Sequence, residues 1–256
     1  MNNEMVKRET TALSNEVLSE WGAPTVSTQD IIIPKILTMQ GLSIAVAEGR
    51  AQMGEFRDSL NNAKIGDITA PFECIPFYLE KCWDVQEEQP TGEFKWVRTI
   101  PVVESPSHKD YNDNWNWEDT VNGVKVKRIR RFNFYVLLPS EIENNSSIPY
   151  VFSFKSSSLK EGKKLYTQMY MRNVRAGVPP AAHHVLIGGI RQKNDKGIFI
   201  VPTFSVGIKS TERELTECLS WIKMIKGGKT RMDESDVIDT SGLELETVGT
   251  TETGEY

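Results

Sequence analysis

The sequence predicts a β-rich α+β protein: an antiparallel sheet curled into a closed or half-closed barrel, with two or three peripheral helices. Three observations predict it. Short segments of alternating or continuous apolar character succeed one another from residue 54 to residue 206. Clusters of Gly, Pro, Asn and Asp separate them as turns. The strands do not alternate regularly with helices, which argues against a doubly wound parallel sheet.

Each element follows from local chemistry. Residues 1–26 read as a polar arm with a short helix near 14–21. Residues 27–40 start at a plausible cap (Ser27 or Thr28) and turn apolar at Ile31, Ile32 and Ile33. Pro34 limits them to an extended piece or one turn before a new helical start. Glycines punctuate residues 41–66, with a strand at 54–60. In 71–85, Phe72, Cys74, Pro76 and Tyr78 alternate with Glu73, Ile75, Phe77 and Leu79; both faces are largely apolar, as in a buried strand. Residues 93–103 form another strand, with Phe94, Trp96, Arg98 and Ile100 on one face. Residues 104–122 are a polar insertion rich in Asn, Asp, Trp and Tyr.

Residues 123–138 form a long strand that Pro139 ends. A loop over 140–148 leads to a strand at 149–155. Ser158-Leu-Lys-Glu161 is a capping-box pattern, so a helix should run from there to about Val174. Two strands, 183–191 and 197–206, flank a hairpin turn at Lys193–Gly197. Thr211-Glu-Arg-Glu214 is a second capping box, with Leu215, Cys218, Leu219, Ile222 and Ile225 at core spacing and Gly227-Gly228 ending the helix.

Charge divides the chain further. Residues 232–256 contain eight acids and no Lys or Arg, against a whole-chain formal charge of −5. Without that tail, 30 basic residues face 27 acidic ones, a balance of +3. Expected organisation is therefore an arm (1–26), a single domain (27–231) and a disordered acidic tail (232–256).

Several classes are disfavoured. No run of 18 apolar residues exists, and residues 1–11 lack the apolar stretch of a secretory signal, so a cytoplasmic protein without membrane partners is expected. The three cysteines, Cys74, Cys82 and Cys218, lack zinc-site spacing. His183 and His184 are adjacent and face opposite ways on a strand, so no metal or other cofactor is expected. Asp110–Asn114 begins like a calcium loop, but Trp115 stands where glycine is required and Val121 where the bidentate Glu belongs. Gly227-Gly228-Lys229-Thr230 resembles the end of a phosphate loop, but position 223 is Lys and a helix precedes it. No catalytic motif is recognised, so the chain is not expected to be an enzyme.

One constellation carries chemistry. Residues 123–175 hold eleven basic residues and three acids, Glu141, Glu143 and Glu161. The cations are Lys125, Lys127, Arg128, Arg130, Arg131, Lys155, Lys160, Lys163, Lys164, Arg172 and Arg175. Tyr135 and other rings lie among them. On the strand, odd positions from Lys125 to Tyr135 form a basic face, while the even face meets the core at its ends. Trp115 and Trp117 in the insertion add candidate stacking rings. Single-stranded nucleic acid needs this mixture: cations follow the phosphates, and rings stack on unpaired bases for roughly 1–3 kcal/mol each.

The strand 125–138, the segment 150–164, the hairpin at 194–197 and the tail together resemble the single-stranded DNA-binding proteins of lytic bacteriophages. Ile33-Pro-Lys-Ile36 to Gly54-Glu-Phe56 also resembles segments of small phage replication proteins. The resemblance implies an OB-like barrel that binds single-stranded DNA without sequence preference, in replication, recombination or repair. It implies a tail, Asp233, Glu234, Asp236, Asp239, Glu252, Glu255 and Tyr256, that recruits polymerase or helicase-primase and competes with DNA for the basic groove. Residues 1–70 have no obvious counterpart in that family. Self-association is compatible with either this role or its alternative, a phage annealing recombinase. A virion or other protein-binding role is the reading from a different class, and predicts no salt-dependent binding of nucleic acid.

Overall fold

Two long strands organise the molecule, and every other strand but one pair attaches to them directly or through neighbours. The computed structural model describes residues 31–102, 116–195, 197–227 and 230–232. Its strands are β1 (Ile31–Ile33), β2 (Lys35–Thr38), β3 (Glu55–Asp58), β4 (Lys64–Asp67), β5 (Phe72–Glu88), β6 (Phe94–Pro101), β7 (Asn116–Val121), β8 (Val124–Leu137), β9 (Tyr150–Lys155), β10 (His183–Asn194), β11 (Gly197–Lys209) and β12 (Thr230–Met232). Its helices are α1 (Ile44–Ala47), α2 (Pro139–Glu143), α3 (Leu159–Tyr166) and α4 (Glu212–Lys226). A π-helical turn, Thr167–Asn173, continues α3.

The 17-residue β5 pairs antiparallel with the 14-residue β8 along nearly its whole length. Each long strand is shared at its other edge. Cys74 to Phe72 of β5 pair with β10, and Cys82 to Glu88 pair with β6. On β8, residues 124–129 pair with β7 and residues 131–136 with β9. The result is a ten-stranded sheet with a four-stranded wing, β6-β5-β8-β7, at one end.

This is a β-rich α+β fold, as the sequence predicts, with two corrections. The sheet is mixed, because β2 runs parallel to β9. The backbone ladder also does not close: β11 and β4 are its two ends. A side chain just after β2 reaches β11 instead. The Gln40 carboxamide donates to the Ile200 carbonyl at 3.0 Å and accepts from the Ile200 N–H at 2.8 Å, as a neighbouring strand would.

Strand alternation divides the core. Phe72, Cys74, Trp83, Val85, Phe132, Phe134, Val136, Phe152 and Phe154 build the cluster under α3 and the π turn. Ile75, Phe77, Tyr135, Leu137 and Val151 face the other way, under α4. The doubly apolar reading of β5 thus holds. On α4, Cys218, Leu215, Ile222 and Ile225 pack as the spacing predicts, but Leu219 is 57% exposed and Trp221 packs in its place.

Other boundaries shift for local reasons. The insertion is not all loop: β7 forms at its end, and Asn122 and Gly123, at φ 52° and 83°, make the two-residue turn into β8. Asn-Gly is the preferred pair for such a turn, because both positions need left-handed backbone. The expected loop at 140–148 opens with α2, whose first residue is Pro139. The Thr211/Glu214 box forms as predicted. The Ser158/Glu161 box does not. Ser158 Oγ instead accepts from Lys155 N–H and donates to the Lys155 carbonyl, closing a tight 3₁₀ turn over Ser156–Ser158. The arm, its helix at 14–21, most of the insertion including Trp115, and the acidic tail lie outside the described residues.

Candidate functional site

The wing sorts its cations onto two faces. Opposed residues of an antiparallel pair project to the same side. Cys82 opposes Arg131, Asp84 opposes Ile129 and Gln86 opposes Lys127, so the even positions of β5 meet the odd, basic face of β8. Glu80, Asp84 and Glu88 recur every fourth residue on that side.

The odd face is therefore neutralised. Arg131 is 3% exposed and its Nη1 donates to Asp84 Oδ1 at 2.9 Å. Thr99 Oγ1 donates to the same carboxylate at 2.7 Å, and Lys155 Nζ lies 3.7 Å from its second oxygen. Lys125 pairs with Glu88 at 3.1 Å and Lys127 with Glu118 at 3.8 Å. Lys127 also sits over the Phe94 ring, 5.5 Å from its centre. Tyr135 is buried, and its hydroxyl donates to Glu80 at 2.9 Å. Burial and the Glu80 charge push that phenol far above its ordinary pKa. The expected basic face ending in an open tyrosine is thus a cross-strand ladder of ion pairs whose tyrosine belongs to the core under α4.

The even face is different. Here β6, β5, β8 and β7 contribute a transverse row, Arg98–Val85–Arg128–Trp117. The next row is Ile100–Trp83–Arg130, and beyond it Lys81 opposes Phe132. The Arg128 guanidinium lies over the Trp117 ring at 4.6 Å, a cation–π contact. Its Nη1 is buried and has no hydrogen-bond acceptor among the described residues. Lys81 Nζ sits 4.7 Å above the Tyr166 ring, which stacks on Tyr170 at 5.4 Å and 28°.

Like charges meet on this face. Burial lowers the Lys81 pKa, and the neighbouring Arg130 lowers it further. Burial lowers Arg128 as well; Arg98 adds to that, and Asp119 opposes it. Cations held beside cations gain when an anion arrives. Arg98 is exposed, Lys81, Arg128 and Trp117 are half-buried, and Arg130 is 3% exposed beneath them.

Lys160, Lys163 and Lys164 are exposed on α3, where they line an open cavity of about 440 Å³ with Leu159 and Thr167. Arg172 is exposed and donates to Gln168 at 3.2 Å, and Arg175 is exposed. Of the sequence candidates, the structure thus groups Arg128, Arg130 and Trp117 on the wing and the three lysines on α3. It places Lys125, Lys127, Arg131, Tyr135 and Lys155 on the opposite, ion-paired face.

Sequence reasoning missed Lys81 and Arg98, while Tyr166 was among the rings of the stretch 123–175. A lysine interrupting the apolar run of β5 was a usable signal for the first. For Arg98 the one-face reading of β6 misleads, because a bulge at Val85/Gln86 sets Phe94 and Trp96 opposite Glu88 and Gln86 but Arg98 opposite Val85.

Among the described residues no helix is long and apolar enough to cross a membrane. Comparison with curated proteins and with solved structures finds no match. A family model described as Pam3 phage gp34-like protein matches residues 6–231. That span includes both long strands, the four described helices and the even-face cations Lys81, Arg98, Arg128 and Arg130, and on it the chain belongs to the Pam3 phage gp34-like protein family.

Proposed function

We propose that the chain is a sequence-independent single-stranded DNA-binding protein of phage replication, recombination or repair, acting in the host cytoplasm. The observation that carries this reading is the row Arg98–Val85–Arg128–Trp117, where a ring-stacked guanidinium lies beside a second, exposed arginine. Phosphates would pair with the exposed Arg98 and the half-buried Arg128 guanidinium, and the half-buried Trp117 ring offers a stacking surface for a base. An OB-like barrel, in which Gln40 ties the end of β2 to β11, is the fold-level part of the same reading. The tail from Asp233 to Tyr256 enters it as the segment that recruits replication partners.

The test is fluorescence anisotropy of labelled oligo-dT at several salt concentrations. The expected result is salt-dependent binding that Arg98→Glu with Lys81→Gln weakens about tenfold or more. Lys125→Glu, on the ion-paired face, should change affinity less than about threefold. Absence of binding at low salt removes the proposal. A larger loss from Lys125→Glu than from the even-face pair moves the site to the other face.

A further inference from the structure

The cavity beside α3 has a composition that the wing does not share. Its wall is Leu159, itself 6% exposed, together with the aliphatic stems of Lys160, Lys163 and Lys164. It is an open concavity of about 440 Å³, lined by residues 159–167 alone. Around a helix, positions i, i+4 and i+7 share a flank, so Leu159, Lys163 and Tyr166 lie side by side. Tyr166 in turn carries Lys81 of the even face over its ring, so the helix flank that lines the cavity borders that face.

The polar groups differ in what they have left to offer. The Lys164 ammonium is held by Glu161 at 2.6 Å. The Thr167 hydroxyl donates to the Lys163 carbonyl at 2.9 Å. Lys160 and Lys163 are exposed and have no ion-pair partner among the described residues. An apolar wall beneath two uncommitted ammonium groups suits a ligand with one flat face and one anionic edge.

We propose that this cavity is a nucleotide subsite: one unpaired base enters against Leu159 and the lysine stems, while Lys160 and Lys163 hold its phosphates. The inference rests on the nucleic-acid reading above and narrows it. A base cannot enter without leaving its duplex partner, so the subsite selects single strands. Phosphate contacts alone do not discriminate in this way.

Three probes of one length test it with the full-length protein: oligo-dT, an abasic strand and a duplex. Wild type should bind oligo-dT more tightly than the abasic strand by about tenfold, the effect of one or more stacked bases. Thr167→Gln adds bulk to the cavity without changing charge, and should reduce that preference about threefold or more while abasic affinity and thermal unfolding stay unchanged. Oligo-dT carrying photoreactive 4-thiothymidine should crosslink to the peptide containing residues 159–167. Oligo-dT that binds but crosslinks only to the wing, with the Thr167→Gln preference unaltered, overturns the subsite and leaves the broader reading standing. Failure of the wild type to bind any probe overturns both.

Discussion

Asp84 is 2% exposed and accepts from Arg131 and Thr99 while Lys155 approaches its second oxygen. A buried carboxylate is tolerated when donors surround it, and its removal strands the charge that remains. Asp84→Asn should therefore cost about 3–5 kcal/mol in urea unfolding, because Arg131 stays buried beside a neutral amide. Asp84→Asn with Arg131→Met should recover most of that loss. A single-variant cost below about 1 kcal/mol would mean the pair contributes little. At this scale the sequence was informative about residue type and silent about pairing. Lys125, Lys127 and Arg131 read as an open basic face because Glu80, Asp84 and Glu88 lie about 45 residues earlier, and only the β5–β8 register sets them opposite.

Elements formed by the same pattern diverge where their neighbours differ. Thr-x-x-Glu at Thr211 builds a full capping box, whereas Ser-x-x-Glu at Ser158 gives its hydroxyl to Lys155, and Glu161 turns to Lys164. The helix that follows is positioned by Gly162. A Cβ there would lie 2.6 Å from Phe154 Cβ and 3.0 Å from Phe154 Cγ, so glycine lets α3 rest directly on the ring layer. Alanine would gain about 1 kcal/mol of intrinsic helix propensity. It would also collide with the rigid base of a fully buried phenylalanine. Overpacking prevails, and Gly162→Ala should destabilise by roughly 1–3 kcal/mol in chemical denaturation. It should also weaken oligo-dT binding, because the lysine flank moves with α3. A stabilised Gly162→Ala protein would show that α3 sits farther from the sheet. The strands themselves were legible, since alternation survives any tertiary context; Asn122-Gly123 also announced β7, but the polarity of the insertion concealed it.

Across the whole molecule, His184 joins three elements. It lies on β10, 4% exposed, with Nδ1 2.9 Å from Glu73 of β5 and Nε2 3.1 Å from Glu214 at the start of α4. Burial raises the Glu214 pKa, but the Thr211 N–H, His184 and the Thr211 hydroxyl outweigh it, and the carboxyl lies below its ordinary value of 4.5. The sign follows: a depressed folded value contributes stability that is complete above the unfolded pKa and lost as pH falls through the folded one. Glu214→Gln keeps an acceptor for the capping box but not the charge. It should cost roughly 1 kcal/mol near neutral pH, and the gap to wild type should shrink as pH drops below 4.5. A gap independent of pH would assign Glu214 a purely geometric role.

The sequence by itself determined a β-rich α+β class, most strand positions, the capped α4 and a surplus of cations near residues 123–175, because alternation, capping and composition act over a few neighbours. The tertiary structure alone decided that the sheet is mixed, that Gln40 ties the end of β2 to β11, that the odd face of β8 is matched by acids, and that Lys81, Arg98, Arg128 and Arg130 share a face with Trp117 and Tyr166. The physical reason is register. Sliding one strand past another by a single residue exchanges its faces, and no local pattern in either strand records which register is chosen.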